Sequence, residues 1–171
     1  MRIAPTALSS DRLSIYLNDH LAGATFGSEL ARRAAGQNRG TEFEAELEQL
    51  AMDIDADRAE LERIIDTLGK PRDQIKPRLA WAAEKAGRLK PNGQLTGYSP
   101  LSRVIELEGL ASGVQGKLLL WRALRTIAPR EPGLGITQLD RLISRAESQL
   151  DRIGALQRRA VEVALAPDSG G

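Results

Sequence analysis

Cysteine is absent, histidine occurs once, and the aromatic side chains number six in 171 residues. Without cysteine the chain has no disulfide, thiolate zinc site, iron–sulfur cluster or cysteine nucleophile. One histidine excludes a histidine-rich metal centre. Six aromatics leave little for stacking on single-stranded nucleic acid. No run of about 18 apolar residues is present, so no transmembrane helix is expected. The opening stretch MRIAPTALSSDR lacks a continuous apolar segment ending in a small-residue cleavage site, so no signal peptide is read and a cytoplasmic protein is expected. An excess of one charge is missing too. Lys plus Arg at 24 against Asp plus Glu at 23 leaves +1, too balanced for a general polyanion binder.

What is present favours helix. Leu and Ala supply 48 residues, whereas Val, Ile and Thr supply 22. Straight and small side chains lose little rotamer freedom on a helix, and β-branched ones lose more. At this length one domain covering 1–171 is expected, burying roughly 70% of the surface its unfolded chain exposes.

Apolar spacing and capping residues place the helices. Ser10 or Asp11 caps a first helix over about 11–35, with Leu13, Tyr16, Leu17, His20, Ala24, Gly27 and Ala31 on its stripe. Thr41 and Glu44 read as a capping box opening a second helix over about 42–68. Gly69 stops it, with Pro71 just beyond. Ile75, Leu79, Ala82, Ala83 and Ala86 indicate a short helix over about 73–87, followed by a Gly- and Pro-containing loop. Ser99 with Pro100 opens a third long helix over about 100–128, whose seam runs from Leu101 to Trp121. Ile105, Leu119, Leu120, Leu124 and Ile127 widen that seam into a broad apolar arc. Thr137 and Asp140 read as a second capping box for a helix over about 138–165, before a tail at 166–171. Two helical hairpins joined by a connection of about 29 residues specify an all-α fold: a four-helix bundle with one long crossover carrying a short extra helix.

Two segments, YLNDHLAGATFGSELARRAA (Tyr16 to Ala35) and LEQLAMDIDADRAELERIIDTLG (Leu47 to Gly69), resemble the ferritin-like four-helix bundle superfamily. The likeness is to its small, stress-associated bacterial members. Metal-binding members carry a Glu on each of two helices and a Glu-x-x-His pair on each of the others. No Glu-x-x-His occurs in this chain. Carried over, the ligand positions fall near Ala24, near Ile54 and Asp57, at Glu108 as the inward-leaning acid of the third long helix, and at Leu150 and Ile153. The resemblance therefore implies a bundle without a di-iron centre, and no metal or other cofactor is expected.

Within that bundle the candidate polar residues are His20, Asp57, Arg58, Glu108 and Gln115. His20 and Asp57 lie at similar distances, roughly 27 to 28 Å, from the first hairpin turn at 1.5 Å per residue. A carboxylate orienting an imidazole suits a general base or a lone metal ligand; a polar contact that merely holds two helices in place is the favoured reading. Arg58 and Glu108 are expected to flank the same faces, as a small polar pocket or as buried groups satisfying one another. Gln115 and Gln157 read as hydrogen-bonded core polars. Gly23, Ala24 and Gly27, with Ser112, Gly113 and Gly116, are small residues at near-helical spacing. Close approach of helices is preferred over space for a ligand.

Charge divides unevenly along the chain. Residues 1–70 hold 8 basic and 13 acidic side chains, and residues 71–171 hold 16 and 10, giving −5 and +6. Two hairpins facing one another account for this; opposed patches between copies are the sharper alternative. Arg141, Arg145, Arg152, Arg158 and Arg159 sketch a basic face interrupted by Glu147, Asp151 and Glu162, so nucleic-acid binding is a weak expectation. The leading expectation is a non-enzymatic protein acting through protein–protein contacts, self-associating as a dimer. The alternative is a metal- or small-molecule-binding protein with a reduced site around His20, Asp57 and Glu108.

Overall fold

The computed structural model describes residues 5–72 and 98–166, with side chains from residue 12 onward. Among these residues the protein is all-helical: α1 (Pro5–Gln37), α2 (Glu44–Thr67), α3 (Pro100–Ile127), a single 3-10 turn (Ala128–Arg130) and α4 (Ile136–Leu165). The short helix expected over 73–87 and the end of the tail lie outside the described residues.

Local chemistry sets most of the helix ends, at places shifted from expectation. Helix α1 runs straight through Ser10 and Asp11, so neither caps it; Pro5 at its first position lacks an N–H that would be unsatisfied there anyway. Helix α2 starts at Glu44 because the expected box is displaced. The Thr41 hydroxyl accepts the Phe43 N–H at 3.2 Å, and the Glu44 carboxylate reaches back to the Gly40 N–H at 2.8 Å. Its end is a Schellman turn: Gly69 adopts φ +61°, its N–H bonds the Asp66 carbonyl, and the Lys70 N–H bonds the Ile65 carbonyl. Ser99 caps α3, accepting the Ser102 N–H at 3.2 Å. The second expected capping box is not formed. Helix α4 begins at Ile136 with Gly135 as an uncapped N-terminus, and Asp140 pairs instead with Arg125 at 2.7 Å.

Side-chain pairing fixes the arrangement. Arg33 meets Glu106, and Leu30 packs at Gly109, so α1 and α3 run antiparallel. Asp53 meets Arg152 and Glu46 meets Arg159, so α2 and α4 are antiparallel as well. Each helix is thus antiparallel to its two neighbours, with α2 and α3 parallel across the diagonal. Asn18 on α1 donates to the Pro71 carbonyl at 3.0 Å, while Asn38, just past the other end of α1, donates to the Tyr98 hydroxyl at 2.9 Å. The chain therefore leaves α2 at one end of the bundle and enters α3 at the opposite end.

The core is formed by Leu17, Leu21, Phe43, Leu47, Leu61, Ile65, Leu107, Trp121, Leu139 and Ile153, each almost wholly buried. Leu120 and Leu124 join it. The broad arc of α3 is thus largely spent inside one chain, because α3 packs on both α1 and α4; Leu119 and Ile127 of that arc stay exposed. At the hairpin end the buried Asn38 amide bonds the Ala34 carbonyl at 2.7 Å and Tyr98, and accepts from Arg103. Tyr98 donates to Glu106 at 2.8 Å. The Arg103 guanidinium lies 4.1 Å from the centre of the Phe43 ring, a cation–π contact that closes this end.

Candidate functional site

A cavity of about 280 Å³ opens between α1, α2 and α3. Helix α1 contributes Asp19, His20, Gly23, Ala24 and Gly27, successive turns of one face. Helix α2 adds Ile54, Asp57, Arg58 and Leu61, and α3 adds a face running from Leu110 to Trp121. The small residues of the sequence are its walls. A Cβ placed on Gly23, Gly27, Gly113 or Gly116 would meet nothing within 4 Å, so these glycines do not serve the close helix approach expected of them. That role belongs to Gly109, where a Cβ would lie 3.1 Å from Leu30 Cδ2. Glycine costs a helix interior up to about 1 kcal/mol relative to Ala, and here the cost goes into empty space.

The floor of the cavity is charged. Asp57 is 1% exposed and is bound by Lys117, Arg145 and Gln149, the Gln149 amide donating at 2.8 Å. Lys117 also donates to the Gln149 carbonyl. Three helices meet in this network, α2 through Asp57, α3 through Lys117 and α4 through Arg145 and Gln149. Burial lowers the Lys117 pKa from its ordinary value, and the Asp57 carboxylate opposes that shift. Asp53 also supports the charge on Lys117, and Arg145 acts on Glu60 as well as on Asp57.

His20 and Asp57 both border the cavity, but Asp57 takes its hydrogen bonds from other residues. His20 instead packs edge-on against Tyr16, ring centres 4.6 Å apart. Burial holds its pKa below the usual 6.5, partly countered by Asp19, so the ring is neutral at pH 7. Arg58 borders the cavity as well, with Glu62 at 3.7 Å. Glu108 and Gln115 depart from expectation. Both are exposed; the Glu108 carboxylate accepts from the Gln157 amide at 3.4 Å. The inward acid of α3 is Glu106, two residues earlier, because the helix turns Leu107 and Leu110 to the core and carries Glu108 outward.

Lys117, Gln149 and Trp121 are the site residues that composition and motif reading did not single out. A signal existed: Lys117 sits between Val114 and Trp121, three and four residues away, on an apolar stripe where a lysine is out of place. Gln149 sits likewise between Ala146 and Ile153.

Three buried donors at the site, the Trp121 indole N–H and the Nε–H groups of Arg58 and Arg145, make no hydrogen bond among the described residues. Such groups cost about 1–3 kcal/mol each when left unmatched. Among the described residues no three His, Asp or Glu side chains gather to hold a metal ion. Ala24, Ile54 and Asp57, where the family resemblance would place ligands, border the cavity and offer one carboxylate, already engaged. Set against protein-family models, curated proteins and solved structures, the chain matches none.

Proposed function

We propose that this protein binds a small, largely apolar molecule in the cavity between α1, α2 and α3. The observation that carries this reading is the fully buried Trp121, whose N–H has no protein acceptor, on the wall of a 280 Å³ space held open by glycines. Apolar cavities of about 150 Å³ already take a benzene-sized guest, and concave, mainly apolar walls with a few polar groups are the usual form of a small-molecule site. Titration with 1-octanol, followed by ¹H–¹⁵N NMR, tests it. Saturable shifts at the Trp121 indole N–H and along 20–27 are expected, and they disappear in Gly27→Leu/Gly116→Leu, which fills the space. Absence of saturable shifts in the wild-type protein, or equal shifts in both proteins, overturns the reading.

The ferritin-like reading is supported by connectivity, two antiparallel hairpins with α2 and α3 parallel on the diagonal and their joined ends at opposite poles. The expectation of protein–protein contact and dimerisation has narrower support, since Leu119 at 53% exposure is the main apolar group that α3 leaves outside. Light scattering across micromolar concentrations decides it: twice 18.6 kDa supports self-association and a single-chain mass removes it.

A further inference from the structure

The cavity is polar at one end and apolar at the other. On α3 the order is Leu110, Val114, Lys117, Trp121, a span of about 16 Å at 1.5 Å per residue. Helix α1 runs the opposite way, so Gly27 stands at the Leu110 end and His20 at the Trp121 end. The two buried atoms of the lining that make no hydrogen bond among the described residues, Trp121 Nε1 and Arg58 Nε, are both donors, and Arg58 Nε has the Glu62 carboxylate at 3.7 Å, beyond hydrogen-bond reach. Beside them Asp57 faces two cations, Lys117 and Arg145; among the described residues of the lining the exposed Asp19 is the other carboxylate, while Asp53 acts on Lys117 from outside it.

Resting on the small-molecule reading, we infer that the ligand is an amphipathic monocarboxylate, its aliphatic part lying toward Leu110 and Val114 and its carboxylate accepting from Arg58 and Trp121. A carboxylate is acceptor-only, so it matches two donors that make no hydrogen bond among the described residues. Hydrogen bonds between charged partners are also the strong ones. A hydrocarbon would leave both donors unmet. An alcohol oxygen can accept from both but carries no charge for the Arg58 guanidinium.

The test compares octanoate with 1-octanol by calorimetric titration at pH 7.5. Octanoate is expected to bind wild-type protein about tenfold more tightly or better, equivalent to about 1.4 kcal/mol. In Arg58→Gln the two probes should come within about twofold, with octanol affinity retained as evidence that the cavity persists. Trp121→Phe, which deletes the N–H and keeps an aromatic ring, is the second variant, and loss of the preference in either folded variant supports the inference. Octanol binding wild type as tightly as octanoate overturns the carboxylate while leaving the cavity reading intact. Retained preference in both variants overturns the assigned donors. Binding of neither probe overturns the small-molecule reading itself.

Discussion

Asp57 shows how much one residue carries. Its buried carboxylate is bound by Lys117, Arg145 and Gln149. Removing one partner of a buried ion pair costs about 3–5 kcal/mol, because an uncompensated charge stays behind. Asp57→Ala should therefore cost roughly 3 kcal/mol or more, whereas Lys117→Met, which leaves Asp57 paired with Arg145, should cost clearly less. Urea titrations of the two variants check this; equal losses would contradict it. His20 gives a prediction in pH. Its folded pKa is lowered below 6.5 by burial, so the unfolded chain takes up the proton more readily. The stability this contributes is present above pH 6.5 and declines as pH falls through that value toward the folded pKa. Between pH 7.5 and 5.5, His20→Gln should lose less of its urea midpoint than the wild-type protein does.

At the scale of the helix, the glycines of α1 and α3 define what can be changed. A Cβ at Gly27 or Gly116 meets nothing, so Gly27→Ala and Gly116→Ala should each stabilise by up to about 1 kcal/mol, or roughly 2–4 °C in thermal midpoint, while weakening octanol binding. Destabilisation by either would show that the space is not there. These same positions mark what sequence could and could not disclose. Apolar spacing located all four long helices, because the 3.6-residue stripe depends on neighbours along one chain. Caps were harder to place: Thr41 and Glu44 do bind free N–H groups, yet at Phe43 and Gly40, one residue from the expected pairing. Glycine spacing told of small side chains on two facing stripes but not whether the backbones meet. Distinguishing Gly109, packed on Leu30, from Gly113, facing open space, needs the distance between helices, which no local pattern contains. Glu106 and Glu108 stand about 200° apart on the helix, so only one of them can turn inward, and it is Glu106, beside Leu107 and Leu110, that does.

Over the whole molecule, the −5 and +6 halves meet within one chain. Glu42 and Glu46 take Arg159, Asp53 takes Arg152 and Asp57 takes Arg145. Three arginines of the basic face read from the sequence are thereby committed to α2, which weakens the case for nucleic acid further. Because the Arg152 and Arg159 contacts lie near the surface, sodium chloride should lower the thermal midpoint by screening them; a midpoint unchanged or raised between 20 and 500 mM salt would show that they contribute nothing. Any dimer formed through Leu119 should not dissociate with added salt, since that contact is apolar.

The spacing of these charges has one more effect. Glu46, Asp53 and Glu60 recur every seven residues on α2, as do Arg159, Arg152 and Arg145 on α4. Sliding α4 by seven residues would set Arg159 opposite Asp53 and Arg152 opposite Glu60, re-forming most of the ladder two turns out of place. Surface charge alone is therefore nearly degenerate between two alignments of the bundle. Asp57 breaks the repeat: it stands between Asp53 and Glu60, and Lys117 and Gln149 converge on it from two other helices. A slide would carry Leu156 to the place of Gln149 and take one hydrogen-bond donor from the carboxylate. The buried carboxylate thus works as a vernier, selecting one alignment from a scale whose coarse marks look alike.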